Sequence, residues 1–463
     1  MHPKFLTKLQ QHLSKEFVLT DPQKCWPYGT DGTQCFFMPE TVVLPKTHDD
    51  VVFITRLCNE YEIPLVPRGA GSGAVGGAVP IHGGIVMSMM RMHNIVSIDH
   101  ENRVMIAEPG ITNLAIQIAA KKHNLFWAPD PGSREYCSLG GNLAHNSSGP
   151  RAIKYGTVRE NVLALKAVTG NGDTIHTGAY TTKNVVGYDL TRLLIGSEGT
   201  LATITEATLK LLPLPKKQMT LRALYRSIEG ATTAVTQIMG QAELPSALEF
   251  MDKTTVDLVR QYGGVDLPQG VEALLLIGID GNDHSINDVV SIIQEASKTS
   301  DLMTIDIAKD EQESQKLWQA RRRISPSLRH VAPKKINEDI VVPVSKIPAL
   351  LKALEKLSKQ YGITIVSFGH AGNGNIHVNL MYDPDNKLQA AHVDECLQKV
   401  FTIVLNLNGS LSGEHGIGLS KQAFITQEVD EHSLNLMRQI KQVFDPKGIL
   451  NPGKIFPANS PPL

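Results

Sequence analysis

The sequence has almost no net charge: 45 Lys and Arg against 46 Asp and Glu leave −1 over 463 residues. That balance gives no electrostatic reason to expect nucleic acid or an anionic membrane as a partner. Cysteine is scarce and scattered (Cys25, Cys35, Cys58, Cys137, Cys396), and no two make Cys-x-x-Cys. Neither a zinc ribbon nor a standard iron–sulfur cluster fits such a set. An odd, dispersed set fits a reducing compartment. No apolar run approaches the ~18–20 residues of a spanning helix, and the start of the chain has no apolar signal core. A cytoplasmic protein is expected, or one peripheral on the inner membrane. Repeats of about 20–50 residues are absent, and so is low complexity apart from a short Pro-rich tail. What remains is ordinary for a soluble globular protein: 42% hydrophobic and 20% charged residues. A chain of this length should hold two or three domains.

Residues 1–18 read as a short amphipathic helix. Thr47 caps a second helix with Val51, Ile54, Cys58 and Tyr61 on its apolar face. A strand is expected over Ile63–Val66, and alternating runs follow between 85 and 110. A helix over Asn113–His123 precedes strands at Val162–Thr169 and Asp173–Thr177. Pro213-Leu-Pro215 reads as a domain boundary. Beyond it, helices at Glu229–Met239, Asp283–Thr299 and Glu311–Arg323 alternate with strands at Ala273–Ile279 and Met303–Ile307. Pro348 opens a helix carrying Leu350, Leu354, Leu357 and Tyr361 on one face, which Gly362 closes. Two further helices are expected over 389–405 and Ser433–Phe444.

Gly71-Ser-Gly73-Ala-Val-Gly76 fits G-x-G-x-x-G. A Rossmann site needs that fingerprint to open a helix after a strand. The strand is there, but Gly77, Pro80, Gly83 and Gly84 would break any helix. Such a loop can still bind a pyrophosphate, because successive small residues let backbone N–H groups face an anion. A plain Gly-rich turn is the alternative.

In residues 363–379 an apolar β-branched run ends at Gly369-His370. Gly372 and Gly374 punctuate a loop, and Asn375, His377 and Asn379 then alternate with Ile376, Val378 and Leu380. That pattern reads as a β-hairpin with His377 and Asn379 on one face. His370 ends the first strand, so two imidazoles can converge on one point, as a divalent metal requires. Alone they would be polar residues at a hairpin tip. Ser412-Gly-Glu414-His415-Gly416 adds a carboxylate and another imidazole, and two His with one carboxylate make a catalytic metal set.

Several motifs in order carry a resemblance: Pro67-Arg-Gly-Ala-Gly-Ser-Gly73, Pro129-Asp-Pro-Gly-Ser133, Gly140-Gly-Asn142, Lys154-Tyr-Gly156 and Gly196-Ser-Glu-Gly-Thr200. The first half resembles the flavin-binding part of vanillyl-alcohol-oxidase (PCMH-type) flavoproteins. The second half is similar to the FAD-linked oxidase C-terminal domain. Within that set the chain looks like the D-lactate dehydrogenase, glycolate oxidase flavin subunit and D-2-hydroxyglutarate dehydrogenase branch, over nearly all of 36–456. The resemblance implies an α+β fold: an N-terminal helical segment (1–35), a two-subdomain FAD-binding domain (36–215), an α+β substrate or cap domain (216–410), and a C-terminal helical segment (411–463) returning to the FAD domain.

It places pyrophosphate contacts at Arg68, Gly69, Ala70, Gly71, Ser72 and Gly73. Further flavin contacts fall on Pro131, Gly132, Ser133, Gly140, Gly141, Asn146, Ser148, Gly149, Tyr155, Gly156, Glu198, Gly199, Ile204 and Asn451. Tyr155 and Tyr188 could each be a flavin neighbour or core; Tyr155 is placed with the flavin contacts and Tyr188 is expected in the core. Ala202 is a departure, since the family often has glycine there. By the same match His370, His377 and Glu414 correspond to metal ligands and His415 to a catalytic base. Arg321 corresponds to a carboxylate-binding arginine, with Arg322 and Arg323 left to solvent. Ser325 and Asn379 fall on the substrate side, and Lys335 and Lys334 are close candidates for a further substrate-side lysine. Asn379 could instead hydrogen-bond the backbone.

These residue types suit oxidation of a 2-hydroxy acid, which removes a proton and a hydride from one alcohol group. A metal stabilises the alkoxide, His415 accepts the proton, and Arg321 fixes the carboxylate through its fork. The hydride goes to flavin N5. Glu414 and His415 are adjacent, so both serve one site only if Gly413, Gly416 and Gly418 permit a turn. The expected function is FAD-dependent oxidation of a D-2-hydroxy acid, D-lactate preferred. Glycolate oxidase flavin subunit and D-2-hydroxyglutarate dehydrogenase are enzymatic alternatives, and a non-catalytic flavin- or metal-binding protein is another. FAD is expected to be non-covalent and the metal to be Zn, Mn or Fe. Expected partners are a quinone, cytochrome or electron-transfer flavoprotein as acceptor, an iron–sulfur subunit, and a second copy in a homodimer.

Overall fold

A computed structural model describes residues 2–33, 35–262 and 264–457 and divides the chain into two units. The first contains the chain up to Ser148, Gly156–Leu214 and the stretch from Glu414; the second contains Gly149–Tyr155 and Pro215–Gly413. The Pro-rich tail lies outside the described residues.

The first unit has two subdomains. In one, parallel strands Thr41–Val43, Ile85–Ser88 and Leu65–Arg68 lie side by side, with Val18–Leu19 antiparallel at the edge. Helix His48–Tyr61 makes the crossover. Thr47 accepts from Asp50 N and Asp50 returns to the Thr47 N–H, a capping box worth about 1 kcal/mol. Helix Pro3–Leu13 buries Phe5, Leu9 and Leu13, at i, i+4, in the same core. It is shorter than the expected 1–18, because Ser14 takes φ +68 and ends it.

The other subdomain is a five-stranded antiparallel sheet in the order Ile95–Asp99, Val104–Ala107, Ala202–Lys210, Val162–Thr169, Thr174–Gly178. Helices Asn113–Lys121 and Leu139–His145 contribute Ile116, Leu139 and Leu143 to its core, which includes Trp127 and Leu165. The stretch from Glu414 returns to this unit. Leu65 N donates to Ile449 O, Asn451 N donates to Leu65 O, and Ile440 and Phe444 of helix Glu431–Phe444 pack on the second core. Tyr188 is not in the core as expected but 96% exposed. It lies in the connection between strand Thr174–Gly178 and helix Leu190–Leu194, where no element covers it.

The second unit is built on a seven-stranded antiparallel sheet in the order Leu302–Ile307, Lys217–Tyr225, Ala273–Gly281, Ala247–Asp252, Thr364–His370, Asn375–Tyr382, Lys334–Val341. Residues opposite each other across a ladder share a face. The register therefore puts Glu249, His370, Phe368, His377, Asp339, Asn379 and Asn337 on one side. The apolar part of that side, Met251, Leu274, Leu276 and Phe368, packs with Ala320, Ile324 and Leu328. Ala320 and Ile324 come from helix Glu311–Ser327. On the opposite side Leu248, Phe250, Val378 and Leu380 are buried. Helix Ile347–Tyr361 buries Leu350, Leu354, Leu357 and Tyr361, and Gly362 ends it at φ +64, the left-handed stop that glycine favours.

Candidate active site

The hairpin is present: Thr364–His370 and Asn375–Tyr382 pair antiparallel with His370 opposite Asn375. Its tip requires glycine at 374, where φ is +73 and a Cβ would lie 1.8 Å from Val342 O. The register brings the two imidazoles together edge to face, with ring centroids 5.4 Å apart.

Each imidazole has a carboxylate directly across the ladder, Glu249 opposite His370 and Asp339 opposite His377. The sequence reading missed both. Glu249 sits in an apolar run, Ala-Leu-Glu-Phe-Met, and a lone acidic residue in a buried strand was the available signal. His370 Nδ1 hydrogen-bonds Glu249 Oε1, and His377 Nδ1 is 3.9 Å from Asp339 Oδ1. Asp339 is itself buried and tied down, accepting from Asn375 Nδ2 at 2.6 Å, Gly413 N at 2.9 Å and Ser412 Oγ at 3.1 Å. The Glu249 hydrogen bond at His370 Nδ1 leaves its Nε2 as the nitrogen that would serve a metal, whereas Asp339 lies beyond hydrogen-bond distance of His377 Nδ1.

Arg321 comes from helix Glu311–Ser327 and reaches the same carboxylate. Its Nε donates to Glu249 Oε2 at 2.6 Å, its Nη2 is also 2.6 Å away, and its guanidinium lies 4.7 Å above the Phe368 ring. Burial alone would raise the Glu249 pKa, but His370 and Arg321 outweigh it and hold the carboxyl well below its usual range. The pair uses the Nε and Nη2 edge and leaves Nη1 for another anion. Ser325 lies four residues on, on the same helical stripe, and accepts from Lys335 Nζ at 3.2 Å. Crowding around that ammonium lowers the Lys335 pKa by desolvation. Asn379 is fully buried, accepts from Asn337 Nδ2 at 2.7 Å, and donates to Val366 O and His377 O. Its amide is thus knitted into the sheet, the alternative foreseen for it. Arg322 and Arg323 are exposed.

In the first unit residues 69–84 form turns and bends, with no helix, so the Rossmann reading fails as expected. Close packing explains its glycines: a Cβ at Gly69 would fall 2.0 Å from Ser138 Oγ, and one at Gly71 2.0 Å from Arg68 Nη2. Arg68 braces the loop from below, donating to Thr30 O at 2.6 Å, and burial lowers its pKa. The amides of Ala70–Gly73 meet no acceptor among the described residues. Gly132 has open space beside it, and the nearest atom to a Cβ at Gly73 would be His145 Nε2, 3.7 Å away. Gly140 packs on Pro109, while Gly141 N donates to Ser138 Oγ. Pro131 and Ser133 carbonyls accept from Arg134 N and Cys137 N, closing a turn.

Asn146 (φ +53) ends helix Leu139–His145 and accepts from Thr157 Oγ1 and Arg159 N; Ser148 Oγ accepts from Val158 N. Gly156 (φ +79) and Gly199 (φ +68) turn the chain, and Ile204 is buried in its strand. Gly149 and Tyr155 alone among the expected flavin residues belong to the second unit. There Tyr155 OH donates to Asp280 Oδ2 at 2.9 Å, and burial with that carboxylate pushes the phenol up.

The Glu198 carboxylate is engaged by backbone amides of its own unit. It accepts from Ile417 N at 2.7 Å and Gly418 N at 2.8 Å, holding the loop that carries Glu414 and His415. That loop bends at Gly416 (φ +88) and Gly418 (φ +50), the turn the sequence required. His415 O accepts from His145 Nδ1 at 2.8 Å. Asn451 donates to Gly77 O and Glu198 O, both at 2.8 Å, while its Oδ1 is buried without a partner. Bare loop amides and an unmet buried acceptor fit a bound dinucleotide, whose phosphates accept and whose hydroxyls and imide donate.

Residues 214–455 match the FAD linked oxidases, C-terminal domain, and residues 39–178 match a FAD binding domain. The chain belongs to the FAD-linked oxidase family. It is 38% identical over 430 residues to glycolate oxidase subunit GlcD of Bacillus subtilis, covering 93% of this chain and 92% of that one. It is also 38% identical over 421 residues to D-lactate dehydrogenase of Archaeoglobus fulgidus, covering 89% and 90%. The fold is similar to that of p-cresol methylhydroxylase with substrate bound, with a TM-score of 0.83 at 17% identity over 99% of this chain and 97% of that one. This FAD-linked oxidase is therefore an oxidoreductase, and FAD is its cofactor. Among its described residues no helix is long and apolar enough to cross a membrane.

Proposed function

We propose that this FAD-linked oxidase converts a D-2-hydroxy acid, D-lactate by preference, to the 2-oxo acid, with His370, His377 and Glu414 holding a divalent metal. The observation that carries this reading is the pair of imidazoles, each with a carboxylate opposite it in the ladder, beside a half-buried arginine at the same face of the sheet. Bound FAD supplies the hydride acceptor, and Zn, Mn or Fe supplies a Lewis acid for the substrate hydroxyl. Arg321 offers its Nη1 edge to the substrate carboxylate and so aims the Cα–H. His415 takes the hydroxyl proton on an imidazole nitrogen. Ser325 completes the substrate side. The Gly-rich loop from Arg68 to Gly73 and Asn451 hold FAD without a covalent bond.

A D-2-hydroxyglutarate reading is favoured by one contact, Lys335 on Ser325, which puts a cation where a second carboxylate would need it. A glycolate oxidase flavin subunit is favoured by the relative of that name and would need an iron–sulfur partner. A quinone, a cytochrome or an electron-transfer flavoprotein would take the electrons from a cytoplasmic homodimer. Turnover of an artificial acceptor with D-lactate, glycolate and D-2-hydroxyglutarate ranks the three, and silence with all of them sinks the proposal. A purified protein without a flavin spectrum would favour a non-catalytic role.

A further inference from the structure

Glu249 is a charged residue in the middle of a fully buried strand, Ala247–Asp252, itself 1% exposed. Its neighbour across the ladder on one side is Leu276 and on the other His370. A buried carboxylate costs stability unless it is paired, and an apolar residue of like volume often serves the fold as well. What an apolar residue cannot do is accept from a nitrogen on each side.

We propose that Glu249 is a positioning residue that couples the metal ligand to the carboxylate clamp. Its Oε1 holds His370 with a proton on Nδ1, which leaves the Nε2 lone pair for a metal. Its Oε2 holds Arg321 through Nε and Nη2, which fixes Nη1 as the edge that meets substrate. Phe368, under the guanidinium, keeps that fork in plane. This inference rests on the reading of His370 as a metal ligand.

Glu249→Gln tests it, because a carboxamide can accept from His370 or from Arg321 but turns an NH2 against the other. In the flavin-loaded protein the Kd for Zn2+ or Mn2+ should weaken about ten- to hundredfold, the range for losing a group behind a metal ligand. Glu249→Asp, which keeps the charge, should recover part of the loss. Unchanged metal affinity in Glu249→Gln overturns the proposal. Should that variant not fold, the His370 tautomer in the metal-free wild-type protein decides, read by 15N NMR and assigned with His370→Asn. A proton on Nδ1 is expected, and a neutral ring protonated on Nε2 overturns the proposal. His370→Asn also separates the two levels. If it binds metal like wild type, the metal reading itself fails and the inference with it. If it loses metal while Glu249→Gln does not, only the role of Glu249 fails.

Discussion

Two glycines of the second unit share a backbone conformation and differ in what surrounds them. Gly374 (φ +73) forms the hairpin tip, and a Cβ there would lie 1.8 Å from Val342 O. Gly270 (φ +78) has nothing within 4 Å of a Cβ. Alanine at either position meets the left-handed penalty of roughly 1–2 kcal/mol. At Gly374 it also meets a backbone oxygen that cannot rotate away. That oxygen's residue is tied to the tip, because Val342 N donates to Gly374 O at 3.0 Å. Restoring a normal contact needs a displacement of more than an ångström, an overpacking cost of about 1–3 kcal/mol. Gly374→Ala should therefore cost about 2–5 kcal/mol and Gly270→Ala about 1–2 kcal/mol. Urea unfolding with a fixed m-value measures both. The displaced tip carries His370 and His377, so Gly374→Ala should lose metal affinity and hydroxy-acid turnover while keeping a flavin spectrum, and Gly270→Ala should lose neither. Equal costs in the two variants, or wild-type metal affinity in Gly374→Ala, would refute the view that a rigid tip sets the spacing of the imidazoles.

Arg321→Lys replaces a fork by a point charge that cannot hold Glu249 and a substrate carboxylate in one plane, so KM for the hydroxy acid should rise roughly 10–100-fold; steady-state kinetics with an unchanged KM would remove Arg321 from substrate binding. His415→Gln should keep the flavin spectrum and slow substrate-dependent flavin bleaching about 10²–10⁴-fold in stopped flow, and a wild-type rate would discharge it as base. Burial lowers Lys454 to about 8, against the pull of Asp31 and Glu198. A lysine with a depressed folded pKa leaves the unfolded chain holding more protons between pH 8 and its ordinary value near 10.5, so this group's contribution to stability rises with pH across that window. The unfolding free energy of wild type relative to Lys454→Met should improve from pH 7.5 to 10, and a flat difference would show that the ammonium is not desolvated.

Much of the fold was legible because periodicity and stop signals agreed. Thr47 with Asp50, the Leu350–Leu354–Leu357–Tyr361 stripe closed by Gly362, and the strands around residue 370 each combine a pattern with a boundary. Three strands of the large sheet were not legible: Lys217–Tyr225, Ala247–Asp252 and Lys334–Val341. The first mixes charge with apolar residues where one end is exposed and the other buried. The last, Lys-Lys-Ile-Asn-Glu-Asp-Ile-Val, reads as a polar loop. Its polar residues are tolerated because Asn337 and Asp339 meet Asn379 and the His377 side across the ladder. Tyr188 failed for the opposite reason, since an aromatic residue in a loop has no element to bury it.

The same asymmetry explains why half of the candidate site was visible and half was not. His370 and His377 stand in strands flanking a Gly-rich hairpin tip, and Glu414 and His415 in a Gly-rich loop, and that composition is itself a signal. Glu249 and Asp339 stand in strands, and their roles arise only when registers are known. Glu249 is opposite His370 and Asp339 is opposite His377, and a slip of one residue in either ladder would move the carboxylate to the other face of the sheet. Sequence separations of 121 and 38 residues are closed by these ladders, and around Glu249 the neighbouring positions Leu248, Phe250 and Leu276 are apolar. The polar stripe therefore depends on hydrophobic alternation that contains no chemistry. Leu248 and Phe250, by facing the opposite layer, oblige Glu249 to face His370. A substitution that favoured a register shift, far from any ligand, would thus abolish metal binding before it abolished folding.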